Sequence, residues 1–329
     1  MIITFTPNPS IDATLELDSF EKGGVNRTIS ARREAGGKGI NVSHACANAA
    51  HDTLAIAPCG PTDPFSLLCR NAGIPLRAVS IEGAIRTNTT LTEHDGETTK
   101  VNETGPMLSD DDVERITDVL VATVAESRTD AVVMAGSLPP SAPAEWYAIL
   151  AARLRKACPG AVIAVDTSDE PLISLGKHLT TAAPDVIKPN AFELAQLTGA
   201  DGEQLEDQAA RGDYTEIVRS ARELVHAGVR EVLVTLGASG ACLITRDAAW
   251  AATPPPVTPR STVGAGDSAL AGYIMARVAG EELPDCLRRS VAYGSAAAAK
   301  PGTGIPAPDE IDLENTLVVS IPATSKELP

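Results

Sequence analysis

Short apolar runs alternate with longer helical patterns along most of this 329-residue chain. The runs that predict strands are residues 2–6, 53–57, 131–135, 162–165, 186–188, 232–236 and 241–245. The intervening patterns predict helices at residues 40–50, 110–127, 144–157, 216–227, 266–279 and 285–299. Such alternation predicts an α/β fold, with a mainly parallel central sheet and helices on both of its faces.

Two segments interrupt the alternation. Residues 11–29 and 86–103 are rich in Thr and Glu and have the pattern of half-exposed strands. Asp95-Gly96 divides the second segment, which is a two-residue hairpin signal. We predict a small separate β-sheet, either an ordinary surface hairpin or a lid that shields a site from water.

We expect one domain over residues 1–329. Within it, the acidic stretch 202–215 predicts a loop, and residues 306–329 predict a polar C-terminal tail. Hydrophobic residues make up 43% of the chain but aromatic residues only 3%, so Ala, Val, Ile and Leu must build the core. That composition suits helices packed on a parallel sheet.

The formal net charge of −16 argues against a nucleic-acid partner, because such a protein needs a basic face. An anionic substrate must therefore be held by local Lys and Arg side chains. Residues 1–7 lack the pattern of a signal peptide, and no apolar run reaches membrane-spanning length. We expect a cytoplasmic protein without a membrane partner.

The cysteines are scattered, with no C-x-x-C pair and no histidine at metal-ligand spacing, so we expect reduced thiols. They are Cys46, Cys59, Cys69, Cys158, Cys242 and Cys286.

Residues 261–267 read Ser-Thr-Val-Gly-Ala-Gly-Asp, and a helix of small residues follows. The small side chains of Gly264, Ala265 and Gly266 allow their N–H groups to face one point at a helix N-terminus, which suits a phosphate. Asp267 lies in the same turn and would repel a resting anion. Its presence makes sense if it takes a proton from a hydroxyl that attacks the phosphate.

Two other interpretations of this turn stay open. Asp267 would be a helix cap and the glycines would only form a turn. Alternatively, Gly264, Gly266 and Ala269 match the dinucleotide fingerprint G-x-G-x-x-A of a dehydrogenase. The second match is weak, because the Pro-rich residues 254–259 are no buried strand.

A second glycine-rich segment opens the first long helix. Gly36 and Gly37 permit close approach of a ligand to the backbone, Lys38 offers a mobile ammonium, and Asn41 offers both a donor and an acceptor. Asp12 follows the first strand, where its carboxylate could accept hydrogen bonds from sugar hydroxyls. Each residue alone is more often a turn, a cap or a surface charge.

Taken together, the segments 36–42 and 262–267 resemble the two signatures of the ribokinase-like sugar kinases, specifically the phosphofructokinase B branch. The resemblance extends from residues 6–9 to residues 302–304. It implies a ribokinase-like fold, with ATP as phosphoryl donor and Mg²⁺ as the metal. Asp267 would be the base, and the N–H groups of residues 264–266 would stabilise the transferred phosphoryl group.

The resemblance also implies roles for residues elsewhere. Lys188 and Asn190 would lie near the ATP phosphates, and Glu193 would organise Mg²⁺. Asp166 lies where the family has a residue near the phosphates and metal, and Ser137 would face the sugar. A nucleotide-binding turn is implied at Thr235, Gly237, Ala238, Ser239 and Gly240.

The acceptor implied by the resemblance is a sugar phosphate, with fructose 1-phosphate first, tagatose 6-phosphate second and fructose 6-phosphate third. Lys38, Arg27 and Arg86 would supply positive charge, with Asn88 nearby. The lid-like segments could also form a homodimer contact. A different class of function, a non-catalytic sensor of sugar phosphate or nucleotide, is distinguished by a lack of ATP turnover.

Overall fold

The computed structural model describes residues 1–60 and 62–322. Ten strands form the main sheet, in the order β14-β13-β12-β11-β10-β9-β8-β1-β4-β5. These strands are β1 (Ile2–Phe5), β4 (Thr53–Pro58), β5 (Leu76–Val79), β8 (Ala131–Ala135), β9 (Val162–Asp166), β10 (Val186–Ile187), β11 (Glu231–Thr235), β12 (Ala241–Ile244), β13 (Ala249–Thr253) and β14 (Leu317–Ser320).

The seven strands from β11 to β5 are parallel, and β12, β13 and β14 add an antiparallel edge. The carboxyl ends of the parallel strands therefore meet at one edge of the sheet, where ligands bind in open α/β folds. The sheet thus places the residues that follow β1, β8, β9, β10 and β11 close together.

Ten helices are present in the described residues. They are α1 (Lys38–Asn48), α2 (Pro64–Asn71), α3 (Asp110–Glu126), α4 (Trp146–Ala157), α5 (Asp169–Ala182), α6 (Ala191–Thr198), α7 (Gly202–Ala210), α8 (Thr215–His226), α9 (Ala265–Ala279) and α10 (Leu283–Ala298). None of the helices in this part of the chain has the length and apolar character needed to cross a membrane.

Helices cover both faces of the sheet because alternate strand residues point to opposite sides. Ile163 and Val165 join a core with side chains of α3, α4, α5, α6 and α8, whereas Ala164 joins a core with α1, α9 and α10. This arrangement confirms the predicted α/β class with a mainly parallel, doubly covered sheet. All six cysteines are free thiols.

A separate four-stranded sheet, which we call the lid, has the order β3-β2-β6-β7. Its strands are β2 (Ser10–Glu16), β3 (Ser30–Gly36), β6 (Arg86–Thr92) and β7 (Thr98–Asn102). β2 pairs antiparallel with β3 and parallel with β6, and β6 pairs antiparallel with β7. The predicted small sheet and its Asp95-Gly96 turn are therefore present.

The predicted strand over residues 11–29 was wrong in its extent. β2 ends at Glu16, residues 17–29 form no strand, and β3 begins only at Ser30. β3 reads Ser-Ala-Arg-Arg-Glu-Ala-Gly and is mostly exposed, so no apolar alternation marks it. Pairing with β2, rather than burial, makes it a strand.

One other expectation was also wrong. Residues 202–215 are not a loop, because Asp201 caps α7 by accepting a hydrogen bond from the Gln204 N–H, and Leu205 and Ala209 are buried one turn apart. The C-terminal tail contains β14, which pairs with β13, and a 3₁₀ turn at Pro308–Glu310. Residues 323–329 of the predicted tail lie outside the described residues.

Candidate active site

Asp267 occupies the first turn of α9. The helix is preceded by Gly264, whose φ of 78° lies in the left-handed region that favours glycine. The Asp267 side chain is buried, with 7% of the residue exposed. Burial, and then the negative charge of Asp166, raise the pKa of Asp267 from 3.8 to about 6. This carboxyl group is therefore ionised at neutral pH and basic enough to accept a proton.

Asn41 reaches Asp267 from α1. Its Nδ2 donates to Oδ2 of Asp267 over 2.8 Å, and this bond opposes the effect of burial on the pKa. α1 begins at Lys38, two residues before the predicted start, directly after Gly37 with a φ of 113°. The two glycine-rich segments singled out in the sequence thus meet through a buried hydrogen bond.

Asp166, the last residue of β9, lies between two lysines. Lys38 Nζ is 2.9 Å from its Oδ1, and Lys188 Nζ is 3.1 Å from its Oδ2. Burial alone would raise the pKa of Asp166, but the two ammonium groups lower it below its usual value. Burial also disfavours the charged form of Lys38 and would lower its pKa, but the negative charges of Asp166 and Asp267 raise that pKa above its ordinary range. Asp166 and Lys38 are therefore both charged.

Lys188 also lies against the turn formed by residues 264–267. Its Nζ is 3.3 Å from the position that a Cβ on Gly266 would take. The ammonium group and the N-terminus of α9 thus present positive charge at the same place, beside the Asp267 carboxylate. A phosphoryl group bound there would contact both.

Asp12 is held in the lid. Ser10 Oγ donates to its Oδ1 over 2.7 Å, and Asn88 Nδ2 donates to the same oxygen over 3.2 Å. A Cβ on Gly36 would lie 2.3 Å from the Asp12 carboxylate, so only glycine fits beneath it. Register explains the cluster, because Ser10 lies opposite Gly36, and Asp12 lies opposite Asn88.

Arg86 begins β6 and is half-buried, not a solvated surface arginine. Its Nη2 donates to the backbone oxygen of Asn8 over 3.0 Å. Burial lowers the pKa of Arg86, although Asp12 opposes this. Within the described chain, Arg86 Nε and Asn88 Oδ1 are buried without a hydrogen-bond partner. Such groups are costly unless a ligand or water satisfies them, so both are free for a bound molecule.

Ser137 lies just beyond the end of β8, close to Asn8. Its Oγ is 3.5 Å from Asn8 Nδ2. Arg27 lies apart from this group, in the mostly exposed segment 17–29 between β2 and β3. Among the residues described, no hydrogen bond or ion pair joins Arg27 to another predicted site residue. The structure therefore brings Ser137 to Arg86 through Asn8, but not Arg27.

Asn190 and Glu193 cap α6 reciprocally. Glu193 N donates to Asn190 Oδ1, and Asn190 N donates to Glu193 Oε2, both over 2.8 Å. Burial raises the pKa of Glu193, while Lys38 opposes it. The backbone of Thr235 pairs with this segment, since its N–H donates to the Pro189 oxygen over 3.0 Å. The ends of β10 and β11 are thereby joined beside Lys188.

Gly237, Ala238 and Ser239 form a 3₁₀ turn after β11. A Cβ on Gly240 would lie 1.9 Å from the Ala252 oxygen, so this glycine is needed for the close approach of β12 and β13. Gly240 therefore has a structural requirement independent of any nucleotide. Gly237, by contrast, has open space around the position that a Cβ would take.

Glu193, the predicted magnesium ligand, is not part of a preformed set of protein ligands in the described residues. The described residues hold no cluster of three or more His, Cys, Asp or Glu side chains placed to bind a metal ion. Mg²⁺ usually keeps several waters and binds one or two carboxylates together with substrate phosphates. The single buried carboxyl group of Glu193, close enough to Asp166 and the lysines to feel their charges, fits that pattern.

Sequence reasoning missed two residues that the structure places here. Asn8 contacts both Arg86 and Ser137, and the only signal for it was its place after the first strand. Thr303 lies beside the turn formed by residues 264–267, with its Cγ2 at 3.1 Å from the Cβ position of Gly264. It comes from the loop after α10, whose approach to α9 no local pattern reveals.

Comparisons with known proteins identify the family of the chain. The model of the pfkB family carbohydrate kinases matches residues 6–310. The 1-phosphofructokinase of Xanthomonas campestris pv. campestris is 34% identical over 295 residues, covering 88% of this chain and 89% of that protein. The 1-phosphofructokinase of Haloferax volcanii is 36% identical over 322 residues, covering 96% and 95%.

Among solved structures, phosphofructokinase-2 from Escherichia coli, in complex with potassium, superposes with a TM-score of 0.83 at 29% identity. The match covers 94% of this chain and 96% of that one. These matches confirm the resemblance stated from the two motifs. The chain belongs to the pfkB family of carbohydrate kinases.

Proposed function

We propose that this protein transfers the γ-phosphoryl group of ATP to the free primary hydroxyl of fructose 1-phosphate, giving fructose 1,6-bisphosphate and ADP. The observation that carries the proposal is the buried Asp267 carboxylate, with a pKa of about 6, at the N-terminus of α9. A base and an anion-stabilising helix end at one point suit phosphoryl transfer to a hydroxyl. Relatives named as 1-phosphofructokinases support the choice of sugar.

In the proposed step, the sugar hydroxyl attacks the γ-phosphorus of ATP. A new oxygen–phosphorus bond forms, the bond from the γ-phosphorus to the bridging oxygen breaks, and ADP leaves with that electron pair. The hydroxyl proton passes to Asp267, which Asn41 orients through its 2.8 Å hydrogen bond. Positioning and charge stabilisation supply most of the acceleration in such reactions.

Lys38 and Lys188 counter the negative charge of the transferred group. Asp166 binds both ammonium groups within 3.1 Å, so their positions are set before the substrates arrive. The N–H groups at the start of α9 add about half a positive charge. Preorganised charge of this kind needs little rearrangement when the phosphoryl group moves.

The lid residues would hold the sugar phosphate. The Asp12 carboxylate can accept hydrogen bonds from ring hydroxyls, and Asn88 Oδ1 is free to accept another. Arg86 would pair with the substrate's own phosphate, because its guanidinium retains an unpartnered Nε–H. Fructose carries a hydroxymethyl group at each end of its ring, so tagatose 6-phosphate and fructose 6-phosphate are the competing acceptors.

Mg²⁺ would be held by Glu193 together with the phosphates of ATP, and would supply neutralisation of their charge. Lys188 and Asn190 precede Glu193 by a few residues and would contact the same phosphates. The turn at Gly237–Ser239 would lie under the rest of the nucleotide.

We also propose that the lid forms a homodimer contact. Four large apolar side chains of the lid are exposed: Phe20, Val25, Ile29 and Val101. Two of them are far more exposed than usual for such residues, Val25 at 80% and Ile29 at 68%. A partner subunit would remove this apolar surface from water. Sedimentation at increasing protein concentration tests the contact, and a persistent monomer would rule it out.

The experiment that tests the function is ADP release by the purified protein with Mg²⁺ and ATP. Fructose 1-phosphate, fructose 6-phosphate, tagatose 6-phosphate and ribose are compared by kcat/KM. We expect the highest value for fructose 1-phosphate. Preference for another ketose phosphate would contradict the sugar assignment but keep the chemistry, whereas no turnover with any acceptor would favour the non-catalytic sensor.

A further inference from the structure

We propose that Asn8 is a positioning residue that fastens the lid to the main sheet and holds the sugar-binding side chains in register. The inference deepens the proposed function and rests on it for the identity of the substrate. Asn8 lies between β1, in the main sheet, and β2, in the lid. It is 2% exposed, and its side-chain hydrogen bonds are made with the protein itself.

The side-chain amide of Asn8 joins two segments that are distant in the chain. Nδ2 donates to the Thr104 oxygen over 3.0 Å and to the Leu138 oxygen over 3.3 Å. Thr104 follows β7, where the chain leaves the lid, and Leu138 follows β8 of the main sheet. The Asn8 amide therefore links the segment that follows β7 in the lid to the segment that follows β8 in the main sheet.

Asn8 also contacts two candidate sugar-binding residues. Its backbone oxygen accepts the 3.0 Å hydrogen bond from Arg86 Nη2, and its Nδ2 is 3.5 Å from Ser137 Oγ. Arg86 begins the lid strand β6, and Ser137 follows β8 of the main sheet. A shift of Asn8 would therefore move these two candidate sugar-binding residues relative to each other.

Gly105 fixes the other side of the amide. A Cβ at this position would lie 2.3 Å from Asn8 Oδ1, and the φ of Gly105 is 100°. Oδ1 is buried without a hydrogen-bond partner within residues 1–60 and 62–322. Gly105 therefore leaves the space that Asn8 Oδ1 occupies, while the Asn8 N–H groups supply the contacts to Thr104 and Leu138.

These contacts distinguish asparagine from aspartate. Asn8→Asp removes both N–H donors and places a carboxylate against two carbonyl oxygens, while the size of the side chain barely changes. Asn8→Ala removes the donors without adding charge, and leaves the Thr104 and Leu138 oxygens unsatisfied. Asn8→Ser is a milder change that retains one hydroxyl donor, for use where alanine does not fold.

The test is steady-state kinetics with both substrates varied. We expect Asn8→Ala and Asn8→Asp to raise KM for fructose 1-phosphate at least tenfold, with KM for ATP within about twofold of wild type. Asn315→Ala is the control, because it removes another amide side chain that donates hydrogen bonds, in the exposed segment before the edge strand β14. An equal rise in both KM values would indicate a general structural defect and overturn the proposal.

A double-mutant cycle with Gly105→Ala gives a second test. The added methyl group pushes on Asn8 Oδ1, so its effect on KM for the sugar phosphate should be much smaller when residue 8 is alanine. The strain from the positive φ persists in both backgrounds and appears in the thermal stability instead. Additive effects of the two substitutions on KM would show that Gly105→Ala does not act on sugar binding through Asn8.

Hydrogen exchange of the ligand-free protein separates this inference from the proposed function. Without any substrate, Asn8→Ala should accelerate exchange at residues 98–104, while exchange in β9 and β11 stays unchanged. Unchanged exchange in the lid would refute the fastening role even if wild-type turnover is found. Faster lid exchange in a protein that phosphorylates none of the sugars would refute only the function.

Discussion

Asn41 Nδ2 donates a 2.8 Å hydrogen bond to Oδ2 of Asp267, joining two helices across 226 positions of sequence. Both side chains are buried, and the bond holds the carboxylate at the first turn of α9. It favours the ionised form of Asp267, against burial and the charge of Asp166. The pKa that results, about 6, suits a base that works at neutral pH.

Replacement of Asp267 by asparagine should remove the base and keep the shape of the turn. We expect Asp267→Asn to lower kcat by about 10²- to 10⁴-fold, the usual contribution of a positioned base. KM for ATP and for the sugar phosphate should stay within a fewfold of wild type, because both binding regions are intact. Near-normal turnover would show that Asp267 is not the base.

The pH profile should report the same carboxyl group. Because Asp267 must be ionised, we expect kcat/KM to be constant above its pKa of about 6 and to fall roughly tenfold per pH unit below it. Asn41→Ala removes a hydrogen bond to the carboxylate, so the inflection should move to higher pH. A profile that is flat down to pH 5 would contradict the assignment.

Asp267 should also reduce the stability of the fold. Its pKa in the folded state lies above the ordinary value of 3.8, so folding favours the protonated form of the carboxyl group. The stability gained from protonation is fully present below about pH 4 and is lost as the pH rises through about 6. At pH 8, the Asp267→Asn variant should therefore unfold at a higher urea concentration than the wild type. Its free energy of unfolding should be greater by about 1 to 3 kcal/mol. The gain should shrink toward pH 4, and a less stable variant at pH 8 would contradict this account.

The sequence predicted the core of the fold because burial leaves a local pattern there. β8 and β9 read as continuous apolar runs, as expected of strands covered on both faces. β3 was missed because its side chains are exposed and charged, and its pairing with β2 is not encoded in its own residues. α7 was missed because acidic composition masked its Asp201 cap.

The candidate site was predictable where a motif concentrates several residues. Asp267, Lys38 and Asn41 stood in glycine-rich segments whose chemistry is readable locally. Asn8 was not, because its importance lies in contacts with Thr104 and Leu138 that only the folded chain creates. Arg86 was chosen for its charge, but only the structure shows that it is half-buried next to Asp12.

Arg86→Ala should weaken binding of the sugar phosphate far more than binding of ATP. The guanidinium lies beside Asp12 and Asn8 at the lid, whereas Lys188 follows β10 and Thr235 ends β11 in the main sheet. We expect KM for fructose 1-phosphate to rise about 10- to 100-fold, because a charge-assisted bond to phosphate is worth about 1.5 to 3 kcal/mol. Arg153→Ala is the control, since it removes an arginine paired with Glu114 on the surface of the helical layer and should change neither KM. Equal effects of Arg86→Ala on both substrates would place this arginine in the general support of the fold rather than at the sugar.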